Sequence, residues 1–138
     1  MIERFYHELW NRWNLALADE IVSEGVRFRG SLGSTLEGRE SFKGYVETVR
    51  AAFPDWHNRI DEMISCGDGV VARMTWSGTH RGRLQDVEPT GERVEYVGVA
   101  IFRLEGGRIE EVWVVGDTQE RRLPSALSVP TLTVTAVK

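Results

Sequence analysis

The chain has 138 residues, 41% hydrophobic and 28% charged, which is typical of one globular domain and argues against a disordered chain. Its formal net charge of −4 argues against nucleic acid as a partner, because phosphate binding requires a basic surface. No apolar run approaches the roughly 20 residues of a membrane-spanning helix, and the single cysteine excludes an internal disulfide and predicts a cytoplasmic location.

Helical spacing dominates the first third of the chain. Residues 2–18 carry apolar side chains three or four positions apart, which predicts an amphipathic helix facing the core. These side chains are Phe5, Leu9, Trp13 and Ala16. A second long helix is predicted over residues 39–53, and Pro54 lies just beyond its end. The segments between them predict a helix over residues 19–23 that begins at Asp19, a strand over residues 26–30, and a loop over residues 31–38.

Beyond residue 56 the apolar period changes to two, which indicates strands. The predicted strands cover residues 57–66, 70–81, 93–104 and 109–117. Helices followed by an antiparallel meander are typical of an α+β fold, in which helices cover one face of a curved sheet and leave a cavity. The whole chain, residues 1–138, is predicted to be a single domain, with an extended or loosely ordered tail over residues 124–138.

Alternation along the strands predicts which side chains point inward. The strand over residues 70–81 has one apolar row that ends at His80. This row is Val70, Ala72, Met74, Trp76, Gly78 and His80. The strand over residues 109–117 is apolar on both faces, so a second covering layer is expected. We interpret that layer as a partner subunit, which predicts a homodimer through the outer sheet face. Trp13, Trp76 and Trp113 are predicted to be core residues.

Four stretches of the chain resemble a known family. They are FYHELWN (residues 5–11), FPDW (53–56), SGTHRG (77–82) and PTGERVEYVGVAIFRLEGGRIEEVWVVGD (89–117). In this order they resemble the SnoaL-like polyketide cyclases (ester cyclases) of the NTF2-like, ketosteroid-isomerase-like superfamily. The resemblance implies a cone-shaped fold with N-terminal helices packed in a strongly curved, mainly antiparallel sheet. It also implies an enzyme that closes rings by intramolecular aldol condensation of a hydrophobic ligand, without a metal or a cofactor.

The resemblance implies catalytic residues as well. Asp117 matches the aspartate that acts as general base in the family, and His80 lies where the family has a polar residue in its pocket. A carboxylate among Trp113, Val115 and Tyr96 loses hydration, which makes it a stronger base. His80 could then stabilise an enolate or relay a proton.

A further set of residues is expected to bind the substrate. These residues are Phe28, Arg29, Phe53, Trp56, Trp76, Tyr96 and Trp113. Many relatives have two histidines where this chain has Phe28 and Arg29. Arg29 is therefore expected to bind a carboxylate or a phenolate of the ligand.

Other functions stay open at this point. An epoxide hydrolase or isomerase of the same fold is one alternative. The hydrolase needs an Asp–Arg–Asp group that holds a water. Asp117 with Arg29 or Arg73 supplies only part of that group. A non-catalytic module for small-molecule binding or dimerisation is another, because one fold serves many functions. In that case Asp117 only caps the following turn and His80 is a hydrogen-bonded residue at a strand end. His7 and His57 lack metal-ligand spacing, so no metal site is expected.

Overall fold

The computed structural model describes residues 1–31, 35–84 and 86–117, which form one six-stranded sheet and four helical segments. The strands are β1 (Val22–Arg29), β2 (Thr35–Glu37), β3 (His57–Cys66), β4 (Gly69–Thr79), β5 (Arg93–Glu105) and β6 (Arg108–Gly116). The sheet is curled but open, in the order β2-β1-β6-β5-β4-β3. Neighbouring strands are antiparallel except β1 and β6, which are parallel.

The helical segments precede most of the sheet, as the sequence predicts. They are a π-helix (Arg4–Trp10), a short 3-10 helix (Leu15–Leu17), α1 (Ala18–Ile21) and α2 (Arg39–Ala52). The predicted α+β class is confirmed, and β3 to β6 begin and end within two residues of their predicted bounds. The predicted tail over residues 124–138 lies outside the described residues.

The first helix differs from its prediction. It was expected to run without interruption over residues 2–18, but it ends at Trp10, and Trp13 has a left-handed backbone with φ of 57°. In a π-helix each N–H donates to the carbonyl five residues earlier, as Asn11 does to Tyr6 at 2.8 Å. The wide turn of the π-helix buries four side chains together. They are Phe5, Tyr6, Leu9 and Trp10.

The segment between the long helices also differs. The predicted helix over residues 19–23 is only the single turn α1, because β1 already begins at Val22. The predicted loop over residues 31–38 contains β2, which pairs with β1 over three residues. So short a strand carries no readable alternation, and its formation depends on the unpaired edge that β1 offers.

The two faces of the sheet have different surroundings. The inner row predicted on β4 is confirmed, since all its members from Val70 to His80 are buried. On β6 the outer face is not covered within the single chain, where Trp113 is 46% exposed and Val115 is 38% exposed, so the second covering layer stays a prediction. A register shift next to Leu104 sets the phase of β6, so that Val112 and Val114 face inward.

An asparagine pair joins the end of the π-helix to the start of β3. The side-chain amide of Asn11 donates to the Asn58 carbonyl at 2.9 Å, and its oxygen accepts from the Asn58 backbone N–H and side-chain amide, both at 2.9 Å. Asn58 is 2% exposed. Because water does not reach these groups, each depends on its protein partner.

Replacing Asn11 by alanine should therefore destabilise the fold. The buried N–H groups of Asn58 lose their acceptor, and we expect the free energy of unfolding to fall by about 1–3 kcal/mol. Urea denaturation followed by fluorescence measures the change. Asn14→Ala, at an exposed position a few residues on, is the matched control, and equal stability of the two variants would contradict the role of the pair.

Candidate functional site

A cavity lies between the helices and the inner face of the sheet. Its walls come from the π-helix, β1, α2 and the inner rows of β3 to β6. The lining residues are Tyr6, Trp10, Phe28, Gly30, Ser31, Tyr45, Val49, Phe53, Trp56, Asn58, Trp76, Leu84, Tyr96 and Val114. The centre of a water molecule can occupy about 40 Å³ of this space. That is room for a few water molecules, so a larger ligand enters only if side chains move.

Aromatic rings dominate the lining, and eight of the fourteen residues carry one. Among these described lining residues none carries a charged side chain. The polar groups are instead three phenols, a serine hydroxyl, an amide and the indole N–H groups of three tryptophans. Such a lining favours a neutral, hydrophobic ligand that has a small number of polar atoms. Tyr45 and Trp56 are only half-buried, which makes them the side chains most able to move.

Two hydroxyl groups form a pair at one end of the cavity. The Ser31 Oγ and Tyr96 Oη atoms lie 2.5 Å apart. Tyr96 packs against Trp76, with ring centroids 5.4 Å apart. Gly116 makes room for the tyrosine, because a Cβ atom at that position would lie 2.7 Å from Cε2 of Tyr96. A side chain at position 116 would displace the ring, so the end of β6 shapes this part of the cavity.

Burial keeps the phenols protonated. It raises the pKa of Tyr45 to about 12 and raises the pKa values of Tyr6 and Tyr96 further above the ordinary value for tyrosine. The hydrogen bond from Ser31 opposes the shift of Tyr96 but does not cancel it. All three tyrosines of the chain are therefore neutral hydrogen-bonding groups at physiological pH.

Five of the residues predicted to bind substrate surround this cavity together. They are Phe28, Phe53, Trp56, Trp76 and Tyr96. They come from β1, the end of α2, the turn after it, β4 and β5, so only the tertiary fold brings them together. Each of these rings packs against a neighbouring ring. The ring centroids of Phe53 and Trp56, for example, lie 5.2 Å apart.

Arg29 and Trp113 lie on the opposite face of the sheet. They are register partners on β1 and β6, and the Arg29 guanidinium lies 5.1 Å from the Trp113 ring centroid. Arg29 also donates to the Val114 carbonyl at 3.0 Å. The prediction that Trp113 is a core residue is wrong, because β6 turns Val112 and Val114 inward instead. A carboxylate-binding role for Arg29 inside the cavity has no support from this position.

His80 is completely buried but lies outside the lining. Its ring stacks on Phe53, with centroids 5.3 Å apart and planes 25° apart. Nδ1 lies 3.3 Å from the Thr90 backbone nitrogen and 3.1 Å from the Thr90 hydroxyl oxygen. Nε2 has no hydrogen-bond partner among the described residues. His80 therefore reaches the cavity through Phe53.

Asp117 follows Gly116 directly at the end of β6. Its backbone N–H donates to the Val97 carbonyl at 2.7 Å, and its side chain is exposed. The expectation of a carboxylate desolvated among Trp113, Val115 and Tyr96 is wrong, because Trp113 and Val115 face outward. The neighbouring Gly116 lies against Tyr96 and Ser31, whereas Asp117 lies outside the cavity lining.

The sequence pattern does not predict several of the lining residues. The helical stripe predicted for the N-terminus passes through Phe5 and Leu9 and omits Tyr6 and Trp10, because it assumes an α-helical period. The concentration of four aromatic residues within positions 5–13 is the sequence feature that could have indicated Tyr6 and Trp10. Ser31 lies in a predicted loop, and nothing in the local pattern indicates that it faces Tyr96.

No grouping of three or more His, Cys, Asp or Glu side chains in the described ranges could hold a metal ion. The described helices include none of the length and apolar character needed to cross a membrane.

The raised pKa values of the phenols predict how the protein behaves at alkaline pH. Their folded-state pKa values are raised, so the stability they contribute is complete below the ordinary tyrosine pKa of about 10 and is lost as pH rises through about 12. At pH of about 11, absorbance at 295 nm should show almost no phenolate in the native protein and nearly full ionisation in guanidinium chloride. Full ionisation of the native protein at that pH would contradict the raised pKa values of the three phenols.

Comparison with known proteins agrees with this geometry. One similar structure is that of a proposed SnoaL-like polyketide cyclase from Jannaschia sp. CCS1. It is 22% identical over 86% of this chain and 83% of that one, with a TM-score of 0.78. A proposed polyketide cyclase from Acidithiobacillus ferrooxidans is 25% identical over 86% of each chain, with a TM-score of 0.71. IdmH from Streptomyces antibioticus, also a proposed polyketide cyclase, is 26% identical over 81% of this chain and 86% of that one, with a TM-score of 0.68.

These likenesses establish the cone-shaped NTF2-like fold. No curated protein matches the sequence significantly. The family described as SnoaL-like polyketide cyclase matches residues 1–122. Because that match covers most of the 138 residues, the chain belongs to the SnoaL-like polyketide cyclase family.

Proposed function

We propose that the protein is a cofactor-independent, cyclase-like enzyme that acts on a hydrophobic, carbonyl-bearing small molecule, with Asp117 as general acid/base. The observation that carries the proposal is a cavity walled by aromatic rings and neutral hydrogen-bond donors in a member of a polyketide cyclase family. The rings suit a hydrophobic carbon skeleton. The neutral donors suit the oxygen on which negative charge develops.

The proposed reaction is an intramolecular aldol closure. The base removes a proton from a carbon next to one carbonyl, and the resulting enolate carbon forms a bond to a second carbonyl carbon. The oxygen of that second carbonyl takes up a proton and becomes a hydroxyl group. Tyr96, held protonated by burial and placed beside Ser31, can donate to the enolate oxygen.

The position of Asp117 supports a reaction at the end of the cavity. Gly116 lies against Tyr96, and Asp117 is the next residue along the chain. The carboxylate is exposed, and we propose that the substrate itself covers it when bound. The aromatic interior then holds the unreactive part of the substrate after Tyr45 and Trp56 move aside.

His80 has a positioning role in this proposal. Its ring supports Phe53, and its backbone exchanges hydrogen bonds with Glu92 and Gly91 at 3.0 and 2.8 Å. These contacts hold the segment after β4 over the end of α2. Direct proton relay by His80 would first require Phe53 to rotate away.

The alternatives fit the geometry less well. An epoxide hydrolase needs an Asp–Arg–Asp group, whereas Arg29 and Arg73 lie on the outer face and the described lining holds no aspartate. A non-catalytic binding module is compatible with so narrow a cavity. Assays of turnover alongside binding distinguish that function from catalysis.

Asp117→Asn tests the general-base assignment. We expect the rate of ring closure of a linear aromatic β-keto ester, chosen from a panel by turnover with the wild type, to fall by about 10²- to 10⁴-fold. Absorbance of the cyclised product measures the rate. Asp68→Asn, in the exposed turn between β3 and β4, is the control and should retain full activity. An unchanged rate in the Asp117 variant would sink the assignment, and binding without turnover by the wild type would favour the binding module.

We further propose that the outer face of the sheet forms a homodimer. Register pairing places four exposed apolar side chains in one row across β3, β4, β5 and β6. They are Ile64, Val71, Ile101 and Trp113. Val97 and Val115 extend the patch, and ion pairs such as Arg73–Glu62 border it. A continuous apolar patch with a charged rim is typical of a subunit interface, and a two-fold axis allows the patch to cover itself.

Ile101→Glu should convert such a dimer to a monomer. Ile101 occupies the middle of the row, so a two-fold axis near it would bring two carboxylates together in an apolar interface. Sedimentation velocity measures the mass of each species. Ser41→Glu, on the exposed side of α2, should stay dimeric, and a wild type that sediments as a monomer would refute the proposal.

We also propose a cytoplasmic location. Cys66 is an exposed free thiol, and such a group is typical of proteins in a reducing compartment.

A further inference from the structure

The indole of Trp10 carries a hydrogen-bond donor that the protein leaves unused. Trp10 lines the cavity and is only 5% exposed, and its Nε1 atom has no partner among the described residues. Buried donors are almost always paired, so an unpaired one calls for a partner that the chain itself does not supply. The nitrogen itself has almost no accessible surface, so a partner reaches it from the cavity only when neighbouring side chains move.

Packing holds this indole in place. The Trp10 ring lies 6.2 Å from Phe42 and 6.1 Å from Tyr45, both in near-perpendicular contact, and 6.4 Å from Trp13. The π-helix supplies the backbone position, and the Asn11–Asn58 hydrogen bonds fix the next residue. A donor held this way loses little freedom on binding, which favours specific recognition.

Three other polar side chains of the lining, those of Ser31, Tyr96 and Asn58, already have partners within the chain. The hydroxyl groups of Ser31 and Tyr96 lie within hydrogen-bond distance of each other, and the Asn58 amide donates to Asn11. An indole N–H can only donate. Its partner in a ligand must therefore be an acceptor atom such as a carbonyl oxygen.

The charge of the ligand follows from the same lining. The described lining residues include no charged side chain, and an ionised group without a partner is costly in an apolar cavity. A carboxylate at this depth would have one neutral indole N–H and aromatic carbon around it. The ligand group beside Trp10 is therefore uncharged.

We propose that Trp10 Nε1 donates a hydrogen bond to a neutral carbonyl oxygen on a flat aromatic part of the ligand, and so orients the ligand within the cavity. This inference rests on the proposed function only in taking the cavity as the ligand site. It makes Trp10 a determinant of substrate specificity and restricts the substrate class to uncharged aryl ketones and related carbonyl compounds.

A matched pair of probes, 1-indanone and indane, tests the inference, because they share one ring system and only indanone has an acceptor oxygen. The five indole N–H signals of the ¹⁵N-labelled protein are followed by NMR during each titration. Indanone should move the Trp10 signal downfield, and indane should not. Indanone should bind Trp10→Phe roughly three- to tenfold more weakly than the wild type, the loss expected for one neutral hydrogen bond, whereas indane should bind both proteins equally.

Trp113→Phe is the matched control, since Trp113 lies on the outer face, and it should bind indanone like the wild type. If Trp10→Phe does not fold, phenylalanine variants of the other four tryptophans identify the Trp10 signal by elimination, and the wild-type titration decides. Equal affinity of Trp10→Phe for indanone, a response at another indole alone, or no binding of either probe up to about 10 mM would overturn the inference. Failure of the general-base proposal is seen separately, as retained turnover in Asp117→Asn, and does not bear on these titrations.

Discussion

The hydrogen bonds between Asn11 and Asn58 are the constraint on which the candidate site depends. They join the last turn of the π-helix to the first residues of β3, two segments that are 47 positions apart in the chain. Because Asn58 is buried, its polar groups depend on Asn11 as their partner at this junction. The junction fixes the neighbouring Trp10 against the sheet. The helix, the cavity wall and the unpaired indole donor therefore share one anchor.

The π-helical hydrogen-bond pattern explains why the interior is so aromatic and so narrow. Its wide turn directs Phe5, Tyr6, Leu9 and Trp10 into the core at once. Phe5 then packs between Phe42 of α2 and Phe102 of β5, at 5.7 and 5.4 Å. The rings occupy most of the space that the curled sheet encloses. A cavity built this way is rigid toward the core, and it can widen where Tyr45 and Trp56 are only half-buried.

The inner and outer faces of β6 have different chemical roles. On β6, Val114 lines the cavity and Gly116 lies against Tyr96, while Trp113 and Val115 face outward on the apolar patch. The inner face provides neutral donors for a small molecule, and the outer face provides area for association with another chain. Asp117, the next residue, stands where the inner and outer surfaces meet. Covering the outer face would therefore also change the surroundings of this carboxylate.

Local patterns in the sequence determined the α+β class, the four long strands, and the inner row of β4, because a strand with one buried face must alternate. They also determined five aromatic residues of the cavity, from Phe28 to Tyr96, through the resemblance to the cyclases. Only the tertiary structure decided the rest. The register shift beside Leu104 placed Trp113 outside and left Asp117 exposed, and the π-helix brought Tyr6 and Trp10 inside. Both depend on how distant segments pair, and a local apolar period carries no information about that pairing.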